Sequence, residues 1–411
     1  MDVVYTRCCG LDVHKDSLVA CIVTPNDQGQ PAKTIRTFGT MTADILAFGD
    51  WLAEHGVTHL AMESTGVYWK PVWNLLEGQL ELLLVNARHV KAVPGRKTDV
   101  ADCEWLADLL RHGLLRGSFV PDRPQRELRE LTRYRTALVR ERAREANRIQ
   151  KVLEGANIKL GSVATDILGV SGRAILAELV AGTTDTAAMA ELARAQLRNK
   201  RAELEQALAG RFDAHQRFLV AHQLGHVALL DESIEALSAQ IAERLQPVDA
   251  TIERLDAITG IGRWHAENLL AELGTDMGHF PTAGQCASWA KLCPGNNESA
   301  GKRKSGKTGQ GNRWLRGTLI EAAKSAGRTK DGYLAAQYRR LRGRHGPNPA
   351  TVAVAHSILV IVYSMLKHGT RFEDLGSDYF DRLHQDSLRR RLVSRLQQLG
   401  YRVSLEIEDA A

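Results

Sequence analysis

The chain has 411 residues, 44% hydrophobic and 25% charged, a globular balance that excludes a wholly disordered or fibrous protein and allows two to three domains. The formal charge is only +6, but Gly301 to His345 holds 13 Lys/Arg against 2 Asp/Glu and Arg123 to Lys151 holds 10 against 4. Basic blocks of this density suit phosphate, so nucleic acid is the expected partner.

In chain order, Cys8 to Val13 and Ser17 to Thr24 read as a strand hairpin, with a third strand at Lys33 to Phe38. Thr42 to His55 has helical spacing at Ile45, Phe48, Trp51 and Leu52. His59 to Met62 and Leu80 to Val85 read as buried strands around a helix at Tyr68 to Leu76, and Asp99 to Leu115 reads as another helix. Three leading strands followed by βαβ units predict a mixed α/β sheet domain over 1–124. Pro121 and Pro124 break that pattern, and a helical connector is expected over 125–249. Val227, Leu230, Ile234, Leu237 and Ile241 step by 3, 4, 3 and 4, the rhythm of either a coiled coil or an intramolecular helix pair. A mainly helical domain follows at 250–370, then a helical tail at 371–411 with a helix at Ser387 to Leu399 and a terminal strand at Arg402 to Ile407.

The longest apolar stretch, Ala350 to Leu366, has 17 residues, short of the roughly 20 a membrane span needs, and reads as a core helix. Six cysteines without CxxC spacing read as reduced thiols, and the charged N-terminus does not resemble a signal peptide. A cytoplasmic protein without membrane association is expected. No P-loop, Rossmann glycine pattern or zinc-ligand spacing occurs, which argues against nucleotide hydrolysis, hydride transfer and zinc fingers.

Three constellations carry chemistry. Asp12 lies in the strand run CCGLDVHK, Glu63 ends the strand of LAMESTG, and Asp99 and Asp102 are three apart, so on a helix they share a face. Carboxylates from two strands and a helix make an oxygen-rich cage for Mg²⁺ or Mn²⁺, and two such ions support phosphodiester cleavage. The same residues can instead cap turns, with Asp99 as a helix N-cap. His14 and His89 read as structural. The second constellation is Ile258-Thr259-Gly260-Ile261-Gly262 between helical runs, the shape of a helix-hairpin-helix in which Gly260 and Gly262 would approach a phosphate. The third is PGNNESAGKRKSGKTGQGNRWLR, read as a glycine-rich flexible loop and helix start. There Lys302, Arg303, Lys304, Lys307, Arg313 and Arg316 would face nucleic acid, and Ser299, Ser305 and Thr308 are all possible nucleophiles.

GLDVHKD, MESTGVYW and KTDVADCEWLADLL, in this order, resemble the DEDD transposases of bacterial insertion sequences, specifically the IS one-ten family. The resemblance runs from about residue 7 to about residue 370. It implies a RuvC-like, RNase H-fold N-terminal domain with its four acidic residues at Asp12, Glu63, Asp99 and Asp102. Asp16 and Asp108 fall outside those positions. It also implies a nucleophilic serine followed by small residues and a basic one, which lands on Ser299-Ala300-Gly301-Lys302, with Ala300 where many members have glycine. Ser299 would then form a covalent phosphoserine with DNA, Mg²⁺ would sit on the four carboxylates, and a structured bridge RNA would choose donor and target DNA. The resulting expectation is a nucleoid-associated transposase that binds the element's ends and target duplex and acts as a dimer or tetramer. Two other classes remain: a junction nuclease that uses water and needs no serine, and an architectural DNA binder with neither active site.

Overall fold

The computed structural model describes residues 2–64, 66–86, 102–295, 297–299, 302–306, 308–309, 311–383 and 385–405; the side chains of 297–299, 303–305 and 386–388 lie outside that description. Two compact units divide the chain, Met1–Pro121 and Asp122–Ala411. The expected segments 250–370 and 371–411, and 125–249 before them, all fall inside the second unit.

The first unit is built on a five-stranded sheet. Its strands are β1 (Cys8–Val13), β2 (Leu18–Pro25), β3 (Pro31–Phe38), β4 (His59–Glu63) and β5 (Glu81–Val85), ordered β3-β2-β1-β4-β5. β1, β2 and β3 pair antiparallel, whereas β4 runs parallel to both β1 and β5. The sheet is therefore mixed, as the leading hairpin and the later βαβ spacing require. Strand alternation separates two faces. Cys9, Leu11, Val13, Leu60 and Met62 pack with Phe48, Trp51 and Leu76 from helices α1 (Thr42–Glu54) and α2 (Trp69–Leu76). Cys8, Cys21 and Ala61 on the opposite face pack with Cys103, Ala107 and Leu110 of α3 (Asp102–Arg111).

The second unit opens with the 33-residue helix α4 (Arg123–Gly155), whose start is dictated by Asp122, which accepts from the Gln125 amide at 3.1 Å, and by Pro124 in the first turn. It packs along α5 (Ala214–Leu245). Arg142 meets Asp231 at 2.5 Å while Arg244 meets Glu127 at 2.9 Å, so the two helices run antiparallel. The heptad-like seam is thus spent within the chain: Val227, Leu230 and Ile241 are buried, and Ile234 and Leu237 are half-buried. Two cores flank this helix pair. One gathers Ile149, Leu153, Ile175, Leu176, Leu204 and Val227. The other joins Leu128 and Ile241 to α6 (Asp249–Asp256), α7 (Arg263–Leu273) and three later helices, α8 (Arg313–Arg328), α9 (Tyr333–His345) and α10 (Pro347–His368). α10 is long and apolar enough to cross a membrane, but Val354, Ile358, Leu359 and Val362 are fully buried in that core.

Three expectations change here. The glycine-rich segment is not all loop: β6 (Asn297–Ser299) and β7 (Lys302–Ser305) pair antiparallel, because Lys302 to Ser305 can extend against Asn297 to Ser299 across a two-residue gap. The tail forms helix α11 (Gln385–Gln398), but residues 402–405 carry no strand and 406–407 lie outside the described residues. Part of the basic block of α4 is an ion-pair face rather than a bare phosphate surface. Arg133 grips Glu272 at 2.7 and 2.8 Å, Arg135 grips Glu267 at 2.7 Å, and Arg142 and Arg148 pair with Asp231 and Glu145.

Candidate active site

Asp12 and Glu63 each stand one residue beyond Leu11 opposite Met62, the last registered pair of the parallel strands β1 and β4. Alternation puts both on the face covered by α3, since Cys8 and Ala61, four and two residues back along the same strands, belong to that face. α3 runs against β1: the Cys8 thiol lies 3.7 Å from the Ala107 carbonyl oxygen, and Gly10 lies under Cys103. Its first residue, Asp102, is therefore at the same end of the sheet as Asp12 and Glu63. This is the carboxyl end of the central parallel strands, where open sheets place their sites.

The donor chemistry suits a hard divalent cation, all three groups being carboxylates. The set is open: among the described residues no three His, Cys, Asp or Glu side chains lie close enough to share one ion. Asp99 lies outside the described residues, as does His89. His14 Nε2 stands 3.1 Å from Asp12 Oδ2. Asp108 hydrogen-bonds Lys33 of β3 at 2.7 Å and ties α3 to the edge of the sheet. The neighbouring thiols are buried. Burial pushes Cys8 up to about 11 and Cys21 up to about 12, and raises Cys103 with help from the charge of Asp12.

In the second unit, the backbone register of the β6–β7 hairpin sets Ser299 opposite Lys302, which is exposed. Arg303 and Lys304 continue β7, and Lys307 lies outside the described residues. Arg313 lies 4.9 Å over the ring of Trp314, with Arg140 at 5.5 Å from the same ring.

At the segment expected to form a helix-hairpin-helix, α6 and α7 are joined by a turn whose two glycines differ in setting. Gly260, at φ +92°, is pressed on α8: a β-carbon there would meet the Ala322 carbonyl oxygen at 2.4 Å and the Ala326 nitrogen at 2.8 Å. Gly260 thus serves the close packing of the turn on α8. Gly262 caps α7, and a β-carbon there would make only an ordinary contact, 3.9 Å from Asp256 Oδ1. The guanidinium of Arg316 donates to Lys291, Thr308 and Gly309 of its own chain.

Sequence reasoning missed Gly10. A glycine in the interior of a buried strand run is the signal that marks a close backbone approach.

A mixed sheet with acidic residues at the carboxyl end of its central strands, joined to a helical unit bearing a basic hairpin, has the composition of a DNA transposase. A transposase model of the DEDD type, DEDD_Tnp_IS110, matches residues 9–158, and the Transposase IS116/IS110/IS902 family matches residues 252–339. No curated protein matches the chain. The chain belongs to the IS110 (one-ten) family of insertion-sequence transposases, enzymes that cleave and rejoin DNA. The DEDD domain implies dependence on a divalent metal.

Proposed function

We propose that this transposase cuts DNA with Ser299 and stores the bond as a protein–DNA phosphoserine, with Mg²⁺ held by Asp12, Glu63, Asp99 and Asp102. The carrying observation is the hairpin register that sets Ser299 opposite Lys302, inside the segment matched by the second transposase family. The serine oxygen forms a bond to phosphorus as one phosphorus–deoxyribose oxygen bond breaks. The leaving deoxyribose oxygen takes up a proton and the serine gives one away, so the number of phosphoesters is conserved and rejoining reverses the step. Lys302 and the cations of β7 offset charge on the crowded phosphate. The metal, when bound, supplies Lewis-acid stabilisation of the scissile phosphate.

The partners proposed are the duplex ends of the element, its target, and a structured guide RNA held on basic surface. Self-association is proposed as well. It is supported by Phe218 and Leu229 on α5, exposed at 70% and 63% although their helix buries its other face within the chain. Light scattering with nucleic acid bound tests it, and an active monomer refutes it.

The serine is tested on a denaturing gel with DNA carrying the element's ends. Wild-type protein should give a shifted covalent band and Ser299→Ala should not. A band that persists in Ser299→Ala assigns the nucleophile elsewhere, and free ends without any band favour the water-using nuclease.

A further inference from the structure

The hairpin bearing Ser299 leaves the helical core through one neck. Its entry is Lys291, in the left-handed region at φ +54°, and its exit runs through Thr308 and Gly309 to Gly311. A β-carbon at Gly311 would stand 2.7 Å from the Ala290 carbonyl oxygen, so exit and entry strands lie against each other. Arg316, on the first turn of α8, spans this neck. Its Nη1 donates to the carbonyl oxygens of Lys291 at 3.0 Å and Gly309 at 3.2 Å, and its Nη2 donates to Thr308 Oγ1 at 2.8 Å. Entry and exit are thereby held by one planar cation.

The helix that carries Arg316 is itself anchored. Asn312 caps α8 by accepting from the amides of Trp314 at 3.0 Å and Leu315 at 3.2 Å. Its own amide group donates to Glu272 Oε2 at 2.5 Å, and Glu272 is gripped by Arg133. An arginine has five donors in a rigid fork, and three hydrogen bonds here run to the protein's own loop.

We propose that Arg316 is a positioning residue that clamps the neck of the nucleophile hairpin, and not a phosphate contact. This rests on the reading of Ser299 as nucleophile. A tight neck limits the excursions of the hairpin, and misplacement of a nucleophile by about 1 Å can cost on the order of 100-fold in rate. A lysine offers three donors from a single point and cannot bridge both carbonyls and the hydroxyl in one plane.

The test uses full-length protein as wild type, Arg316→Ala, Arg316→Lys, Thr308→Val and Ser299→Ala. Hydrogen–deuterium exchange is followed in peptides spanning 289–311. Binding to a fluorescein-labelled random-sequence duplex is measured by anisotropy against salt, and adduct formation is timed at saturating DNA carrying the element's ends. Arg316→Ala should speed exchange across the neck and slow adduct formation by about 10- to 100-fold at saturation, with an unchanged salt slope. Arg316→Lys should fall between, Thr308→Val should show a weaker form of the same pattern, and added guanidinium should restore part of the Arg316→Ala rate. A salt slope reduced by about one with exchange unchanged would make Arg316 a phosphate contact and overturn the clamp. Slower adduct formation without faster exchange would overturn it too. An adduct that survives in Ser299→Ala refutes the nucleophile alone, because exchange reads the clamp independently of chemistry.

Discussion

A β-carbon added at Gly10 would stand 2.1 Å from the carbonyl oxygen of Cys103, and 2.4 Å from the backbone nitrogen of Ala107. Backbone atoms cannot swing aside as a side chain can, so the whole of α3 would have to lift from β1. Asp102 opens that helix and would lift with it. Gly10→Ala is therefore expected to destabilise the first unit by about 1–3 kcal/mol and to cut metal-dependent cleavage at least tenfold. Gly117→Ala is the control, since its β-carbon meets only the tip of Leu83, and it should keep cleavage near wild type. Thermal melts and cleavage assays on both variants check this; equal losses in the two would separate the Gly10 contact from the site.

Asp12→Asn should abolish cleavage while duplex binding stays within a few-fold of wild type. The substitution removes one negative charge from a set that also includes Glu63 and Asp102, and polyanionic DNA is bound by cations elsewhere. Cleavage in EDTA by wild-type protein should be absent for the same reason. Undiminished cutting in EDTA would show that the carboxylates do not work through a metal.

Arg135 is buried with its guanidinium 2.7 Å from Glu267 and 4.0 Å over the ring of Trp264. Burial lowers its proton affinity against the pull of Glu267. Glu267→Ala leaves a buried cation without its carboxylate and is expected to cost about 3–5 kcal/mol. Arg135→Met in the same chain should return most of that loss, because an apolar pair needs no compensation. Urea unfolding of the single and double variants measures both values.

His265, in the first turn of α7, holds an imidazole that burial pushes below its usual range, with Glu321 opposing. Its Nδ1 accepts from the Gly262 amide at 3.4 Å, which requires that nitrogen unprotonated. The folded value lies below the unfolded one of about 6.5. As pH falls through about 6.5 the unfolded chain takes up the proton first, so stability declines until the folded value is passed. His279 is depressed by burial as well and adds to the same slope. Melting temperatures at pH 7.5 and 5.5 should fall less in His265→Gln, because glutamine can still reach back to the cap amide without charging. An unchanged pH difference in that variant would assign the slope to His279 or elsewhere.

Element identity was readable in one dimension. Apolar runs and helical spacing set β1 to β5, α1 and α2 within a residue or two, since β1, β2 and β4 are covered on both faces and read as near-continuous apolar runs, while α1 and α2 bury one stripe each. The order of acidic motifs likewise pointed to the family without any geometry. The hairpin β6–β7 was not readable, because the asparagine, glutamate and lysines of its strands carry low strand propensity and give no apolar alternation. The role of the seam from Val227 to Ile241 was equally open, since a heptad rhythm does not say whether its partner is another chain or the preceding helix.

Charge shows most clearly what requires three dimensions. Composition marks Arg129, Arg133, Arg135 and Arg316 as cations, and each was counted toward a nucleic-acid surface. In the fold they meet Glu272, Glu267 and the carbonyl oxygen of Lys291, partners 25 to 143 residues away. A charge is a property of one residue and can be summed along the chain. Whether it faces phosphate or an internal carboxylate depends on which distant residue packing brings beside it, and that is decided only when the helices close on one another.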